Sequence, residues 1–219
     1  MFDSVIVNML AKGFMETLYM TFVSSAVAYL LGLPLGIVLV VTDKDGIRPI
    51  PWLNWFLGVI INLLRSVPFL ILLITVIPIT RFITGTTLGS TATIVPLVIA
   101  AAPFIARLVE SSLKEVDRGV IEAAQSMGAS PLQIVFKVLL PEARPSLIVG
   151  SAIAVTTILS YSAMTGFVGG GGLGDIAIRY GYYRYQTGIM LVTVVLLVII
   201  VQVLQELGMK LAKISDKRN

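Results

Sequence analysis

The 219-residue sequence contains no cysteine and no histidine. Without cysteine there is no disulfide framework and no thiolate metal site. Without histidine there is no Ser-His-Asp arrangement, no His-Glu-x-x-His zinc helix and no imidazole proton relay. Charge is also scarce: 13% of the residues are Asp, Glu, Lys or Arg, where a soluble domain carries about 25%. No Gly-x-x-x-x-Gly-Lys-Ser/Thr stretch occurs, which excludes a P-loop in this chain. The acids that exist lie in loops or at the ends of apolar runs, which argues against an ion-coupled carrier, a device that needs acids inside the membrane. These shortages count against an enzyme, and no catalytic residue or metal ligand is assigned. The opening MFDSVIVNMLAKGFMETL carries acids and no basic stretch ahead of a cleavage site, so it is not a cleavable signal peptide.

What remains is apolar: 57% of the residues are hydrophobic. Such a composition reads as an all-α polytopic membrane protein, one transmembrane domain over residues 1–219. A membrane helix needs roughly 20 mainly apolar residues, and five stretches qualify: 17–42, 53–78, 88–107, 145–165 and 189–207. The second contains Arg65, and the third contains Pro96 and Pro103 and is expected to kink. Five spans put the termini on opposite sides. Lys44, Arg48, Arg107, Lys114, Arg118, Lys137, Arg144, Lys210, Lys213, Lys217 and Arg218 fall on one side, against Lys12, Arg81, Arg179 and Arg184 on the other. The positive-inside rule then makes the first side cytoplasmic, with the N-terminus outside and the C-terminus inside. Basic residues spaced between apolar runs express membrane topology, not nucleic-acid binding.

Residues 110–144 are the long piece that is neither a span nor a short connector. Within it, Asp117 suits an N-cap, and Val120, Ala123, Ala124 and Met127 fall on one helix face. Gly128 suits the left-handed position that ends a helix. Ser130, Pro131 and Gln133 restart one, with serine at the cap, proline in the first turn and glutamine closing a capping box. Leu132, Val135, Phe136 and Leu139 form a second apolar stripe. The unit is therefore helix–break–helix, too polar to cross a bilayer. From its residues alone it is either an elbow lying on lipid or a docking surface.

Glu122-Ala123-Ala124, three residues, Gly128, nine residues, then Val138, Leu140 and Pro141 resemble the signature loop of permease subunits in bacterial binding-protein-dependent ABC importers. Valine stands where isoleucine is usual. The stretches Arg65 to Leu72 and Ser160 to Tyr182 are similar to the methionine-importer permeases of that superfamily. The resemblance implies coupling helices that dock on an ATP-binding subunit, with Glu122, Ala123, Ala124, Gln125, Met127, Gly128, Ala129 and Pro141 as the coupling residues. It also implies a second copy of the chain, two ATPase subunits holding ATP and magnesium, no cofactor in this chain, and an extracytoplasmic methionine-binding protein. The expected activity is methionine import, D- or L-, across the bacterial cytoplasmic membrane by alternating access. The alternatives are another amino acid or small osmolyte, or an ion-coupled secondary carrier.

Other features carry paired readings. Arg65 either faces the translocation pathway or snorkels toward the headgroups. Tyr161, Ser162, Met164 and Thr165 form a gate or simply pack membrane helices. The stretch Gly169 to Gly174 matches Gly-x-Gly-x-x-Gly but lacks the strand and helix context of a dinucleotide site; it reads as a tight external turn where backbones approach closely, one that could face the binding protein. Lys12 and Glu16 read as a solvated interfacial pair.

Overall fold

Long charge-free runs in lipid must satisfy every backbone group internally, which selects helix. The structure, a computed structural model, describes residues 4–215. Lys217 and Arg218 of the basic count, and the first three residues of the opening stretch, lie outside the described residues. The chain is all-α. Its long helices are α1 (Ser4–Thr42), α5 (Ser90–Lys114), α9 (Arg144–Met164) and α11 (Thr187–Ser215), with α2 (Pro51–Ser66), α3 (Phe69–Thr75) and α4 (Ile77–Thr84) between the first two. Helix α6 (Arg118–Ser126) and α7 (Pro131–Ile134) follow α5; a π-helical turn, Val135–Leu139, continues α7 into α8 (Leu140–Glu142). After α9 come a 3-10 turn, Thr165–Val168, then α10 (Gly172–Ile176) and a second π-helical turn, Ala177–Tyr182.

Among the described residues four helices are long and apolar enough to cross a membrane, and a fifth span arises if α2 and α3 are counted as one bent crossing. The second span expected over 53–78 is broken within its length: α2 and α3 meet at 102°. The cause is local. Pro68 pushes the preceding residue out of the helical region, and Val67 accordingly sits at φ −79°, ψ 125°. By contrast, Pro96 and Pro103 are accommodated within α5, which runs unbroken for 25 residues. Helix α5 also extends past the expected end of its span, so residues 110–114 of the polar segment belong to its last turns.

The core is the α1–α5 contact. Gly32 and Gly36, four apart, let the α1 backbone meet that of α5; a Cβ at Gly32 would lie 2.8 Å from the Ala102 carbonyl oxygen and one at Gly36 2.6 Å from that of Ala106. This is the small-residue packing by which membrane helices approach without a hydrophobic drive between them. Around it Ala28, Ile105, Val109, Leu113, Ala154 and Ile158 are buried together.

Candidate functional site

The segment after α5 folds as its residues require. The Asp117 carboxylate accepts the Gly119 N–H at 2.7 Å and caps α6. At the other end Gly128 adopts φ +79°. The Gly128 N–H donates to the Gln125 carbonyl (2.9 Å) and the Ala129 N–H to that of Ala124 (3.1 Å), the paired bonds of a Schellman motif. Ser130 and Gln133 then close a reciprocal capping box. Two orphan donors and two orphan acceptors are thus satisfied between Ala124 and Gln133, so the break is a built corner.

This corner folds one face inward. Ala124 packs in the same buried cluster as Ile134, Val135 and Leu139, joined by Ile121 and Ala129. The rest of the expected stripes points away from the chain: Met127 is 82% exposed and Leu132 70%, and Val120, Ala123 and Phe136 are exposed as well. Glu122, Gln125, Gly128 and Pro141 are also exposed. The expected coupling residues are therefore divided, with Ala124 and Ala129 holding the corner and the others presenting a mixed apolar and polar surface. The apolar side of α6 that contacts the chain is the Ile121–Ala124 side, one step round from the face expected.

Beside the segment, a cavity of about 500 Å³ separates α6 from residues 43–47, with Asp43, Asp45, Lys114, Arg118, Glu122 and Gln125 in its wall. Four of its charges form two pairs: Lys114 Nζ lies 2.8 Å from Asp43 Oδ2, and Arg118 Nη2 lies 3.7 Å from Asp45 Oδ2. The hydrogen bond from Lys114 holds the Asp43 carboxyl below the usual carboxylate range, partly offset by desolvation. Lys114 also reaches Glu110 Oε1 at 2.9 Å, and Glu110 Oε2 pairs with Arg107 Nη1 at 2.5 Å. Arg107, read from sequence as a boundary cation, instead bonds across to α2, donating to Asn62 Oδ1 (3.0 Å) and the Gly58 carbonyl (3.3 Å). The Arg107, Glu110, Lys114 spacing of three and four was the signal for this ladder; what it met across the helix was not readable.

Of the pathway candidates, Arg65 lies in the last turn of α2, exposed, directly before the bend. It has no hydrogen-bond or ion-pair partner among the described residues. Tyr161 stacks on Phe69, the first residue of α3, with centroids 4.5 Å apart and planes within 4°. Met164 is exposed. Ser162 and Thr165 are buried, donating to the carbonyls of Leu159 and Ser162, so within this chain their hydroxyls serve helix packing. Arg65 and the Tyr161 group thus meet only through the bend, by way of Phe69.

The glycine-rich stretch starts as the tight turn expected, with Gly169 and Gly171 at positive φ, and then enters α10 at Gly172, where it is stapled to α1. Glu16 Oε2 accepts the Gly172 N–H at 2.8 Å and Thr17 Oγ1 the Leu173 N–H at 2.9 Å, so α1 caps α10. Thr93 of α5 donates to the Gly170 carbonyl at 3.3 Å. The close backbone approach is borne out at Gly174, where a Cβ would overlap the Ala163 backbone. Lys12 does lie 3.8 Å from Glu16, but Glu16 is more than half of a solvated pair, because its other oxygen holds α10. A carboxylate followed by threonine in the first half of α1 gave no sign of a partner 156 residues away.

Residues 32–218 match the family described as binding-protein-dependent transport system inner membrane components. The chain belongs to that family. Among its relatives, a probable D-methionine transport system permease protein MetI from Vibrio cholerae serotype O1 is 53% identical over 211 residues, covering 96% of this chain and 94% of that one. The D-methionine transport system permease protein MetI of Escherichia coli K12 is 50% identical over 158 residues, 72% of this chain and 73% of its own. Among solved structures, an inward-facing MetNI methionine ABC transporter superposes with a TM-score of 0.97 at 46% identity, covering 99% of this chain and 100% of that one. An amino acid ABC transporter superposes at 0.73 with 20% identity, a likeness of fold. This chain is therefore a permease component of a binding-protein-dependent ABC importer, an inner membrane protein.

Proposed function

We propose that this permease imports methionine, D- or L-, with ATP and magnesium bound and turned over in a separate pair of ATPase subunits. The observation that carries the reading is the near-complete superposition on a MetNI methionine transporter chain at 46% identity. A second copy of the chain completes the pathway, and an extracytoplasmic methionine-binding protein delivers substrate. The basic residues favour an orientation with α6–α8 in the cytoplasm and the N-terminus outside. Residues 110–144 contain the coupling segment; its docking surface comprises Glu122, Ala123, Gln125, Met127, Gly128 and Pro141, on the corner held by Ala124 and Ala129.

The mechanism follows from the lack of a P-loop here. Force must enter through contact, and the exposed surface around Gly128 is where an ATPase subunit can seat. Each state of the motor must bind that surface differently, or nothing is transmitted. Rigid-body rocking of the two copies then opens the pathway to one side or the other. Arg65, Tyr161 and Met164 line or gate that pathway, with Ser162 and Thr165 supporting them from within the helix bundle.

Uptake of labelled methionine into proteoliposomes holding the full complex tests the reading. Unlabelled D- and L-methionine should compete and other amino acids should not. Competition by a different amino acid or osmolyte would reassign the substrate, and uptake persisting without the ATPase subunit would favour an ion-coupled carrier.

A further inference from the structure

The charged ladder on α5 has no role in the docking surface itself, yet it runs from beside that surface into the apolar part of the chain. Arg107, Glu110 and Lys114 lie on one face of α5, and Glu110 holds both cations. At one end Lys114 is tied to Asp43 at 2.8 Å. Two residues on in the same turn, Asp45 meets Arg118, the first residue of α6. At the other end Arg107 is bonded to Gly58 and Asn62, the latter one turn before α2 ends at Ser66. Beyond the bend, Phe69 stacks on Tyr161. Ion pairs and hydrogen bonds therefore join Lys114, the last residue of α5, to the end of α2, and only residues 115–117 separate Lys114 from α6.

Burial decides whether such a line can carry displacement. An exposed ion pair contributes little and gives way. Glu110 has only 12% of its side chain exposed and Arg107 26%; pulling either from its partner leaves a charge uncompensated in apolar surroundings, which is strongly unfavourable. Arg107 and Glu110 must therefore move together, and the break in α2–α3 supplies the place where movement changes direction.

We propose that Arg107 and Glu110 are positioning residues that carry movement of the coupling segment to the bend between α2 and α3. The proposal rests on the docking reading given above. If the ladder merely neutralised Arg107, its loss would lower stability and reduce hydrolysis and uptake in parallel. A transmitting ladder instead sets how much substrate crosses per ATP.

The test uses the full complex, with ATPase and binding protein, in proteoliposomes. Glu110→Gln removes the central charge, and Asn62→Leu removes the acceptor on α2 without touching a charge. The chain has no cysteine, so Ile71→Cys on the exposed side of α3 accepts a single spin label that reports the distance between the two copies. Both variants should retain the ATPase subunit and hydrolyse ATP, while methionine taken up per ATP falls about tenfold. The ATP-dependent change in label distance should shrink in step. Uptake per ATP within about twofold of the parent in an intact complex, a parallel loss of uptake and hydrolysis, or loss of the ATPase subunit from Glu110→Gln would each overturn the proposal. Failure of the docking reading shows elsewhere, as a complex that survives Gly128→Val.

Discussion

Gly128 gives the sharpest test of the coupling corner. Its φ of +79° is one that L side chains rarely adopt, while a Cβ there would meet nothing within 4 Å. Steric crowding inside the chain is therefore absent, and only backbone strain opposes a substitution. Placing an L side chain in this region costs about 1–2 kcal/mol. That shifts the closed corner by about five- to thirtyfold, loosening the Ala124 and Ala129 bonds without unfolding α1 or α5. Asparagine tolerates the left-handed region, alanine less so, and a β-branched residue least. The expected order of damage is therefore Gly128→Asn mildest, then Gly128→Ala, then Gly128→Val. The assay is co-purification of the ATPase subunit with the tagged permease, followed by uptake. Retention of full assembly by Gly128→Val would refute the reasoning. So would a ranking by side-chain size, with asparagine worse than alanine, because that would mean the exposed position is sensed by a partner surface and not by its own φ.

Four further outcomes follow from the geometry. Gly174→Ala should destabilise by about 1–3 kcal/mol or more, since the new Cβ overlaps the Ala163 backbone, which cannot rotate away; expression in the membrane and thermal unfolding in detergent read this. Thr17→Val leaves the buried Leu173 N–H without its acceptor and should cost about 1–3 kcal/mol in the same unfolding assay, with Thr17→Ser largely neutral. The Asp43 carboxyl is held low by Lys114, so its contribution is present above the unfolded value of about 3.9 and lost as pH falls through the folded one. The stability gap between the parent and Asp43→Asn should accordingly stay flat from about pH 5 to 8 and close below about pH 4. Arg65→Glu should lower methionine uptake about tenfold if the guanidinium meets the substrate carboxylate; normal uptake removes Arg65 from the pathway.

The parts of this molecule that were legible in sequence are those decided by local chemistry. Asp117, Gly128 and the Ser130–Gln133 box each do what their residue type requires within six positions of chain. The apolar runs mark where helix must form because lipid offers no other partner for the backbone. The break at Val67 and Pro68 was equally local, but it lay inside an apolar run long enough to span, and hydropathy outweighed the X-Pro signal. What sequence could not supply was pairing at a distance: Glu16 with Gly172, Arg107 with Asn62, Phe69 with Tyr161. Each of these residues has an unremarkable neighbour pattern, and each is given its role by a helix far along the chain.

These distant pairings also indicate which parts can move. Helix α1 is bonded to α10 in its first half through Glu16 and Thr17, and along its second half its backbone meets that of α5 at Gly32 and Gly36. Interfaces of backbone on backbone have no side chains to repack, so α1, α5 and α10 are expected to stay together as one body. Helix α2 is different. Ile61 is its one buried residue, and its polar ties to the rest of the chain are Asn54 to α1 and Gly58 and Asn62 to Arg107. A segment held so lightly shifts at small cost, and polar ties decide where it goes. Removing packing from α1–α5 should therefore destroy the protein, whereas removing the tie at Arg107 should leave it assembled and uncoupled.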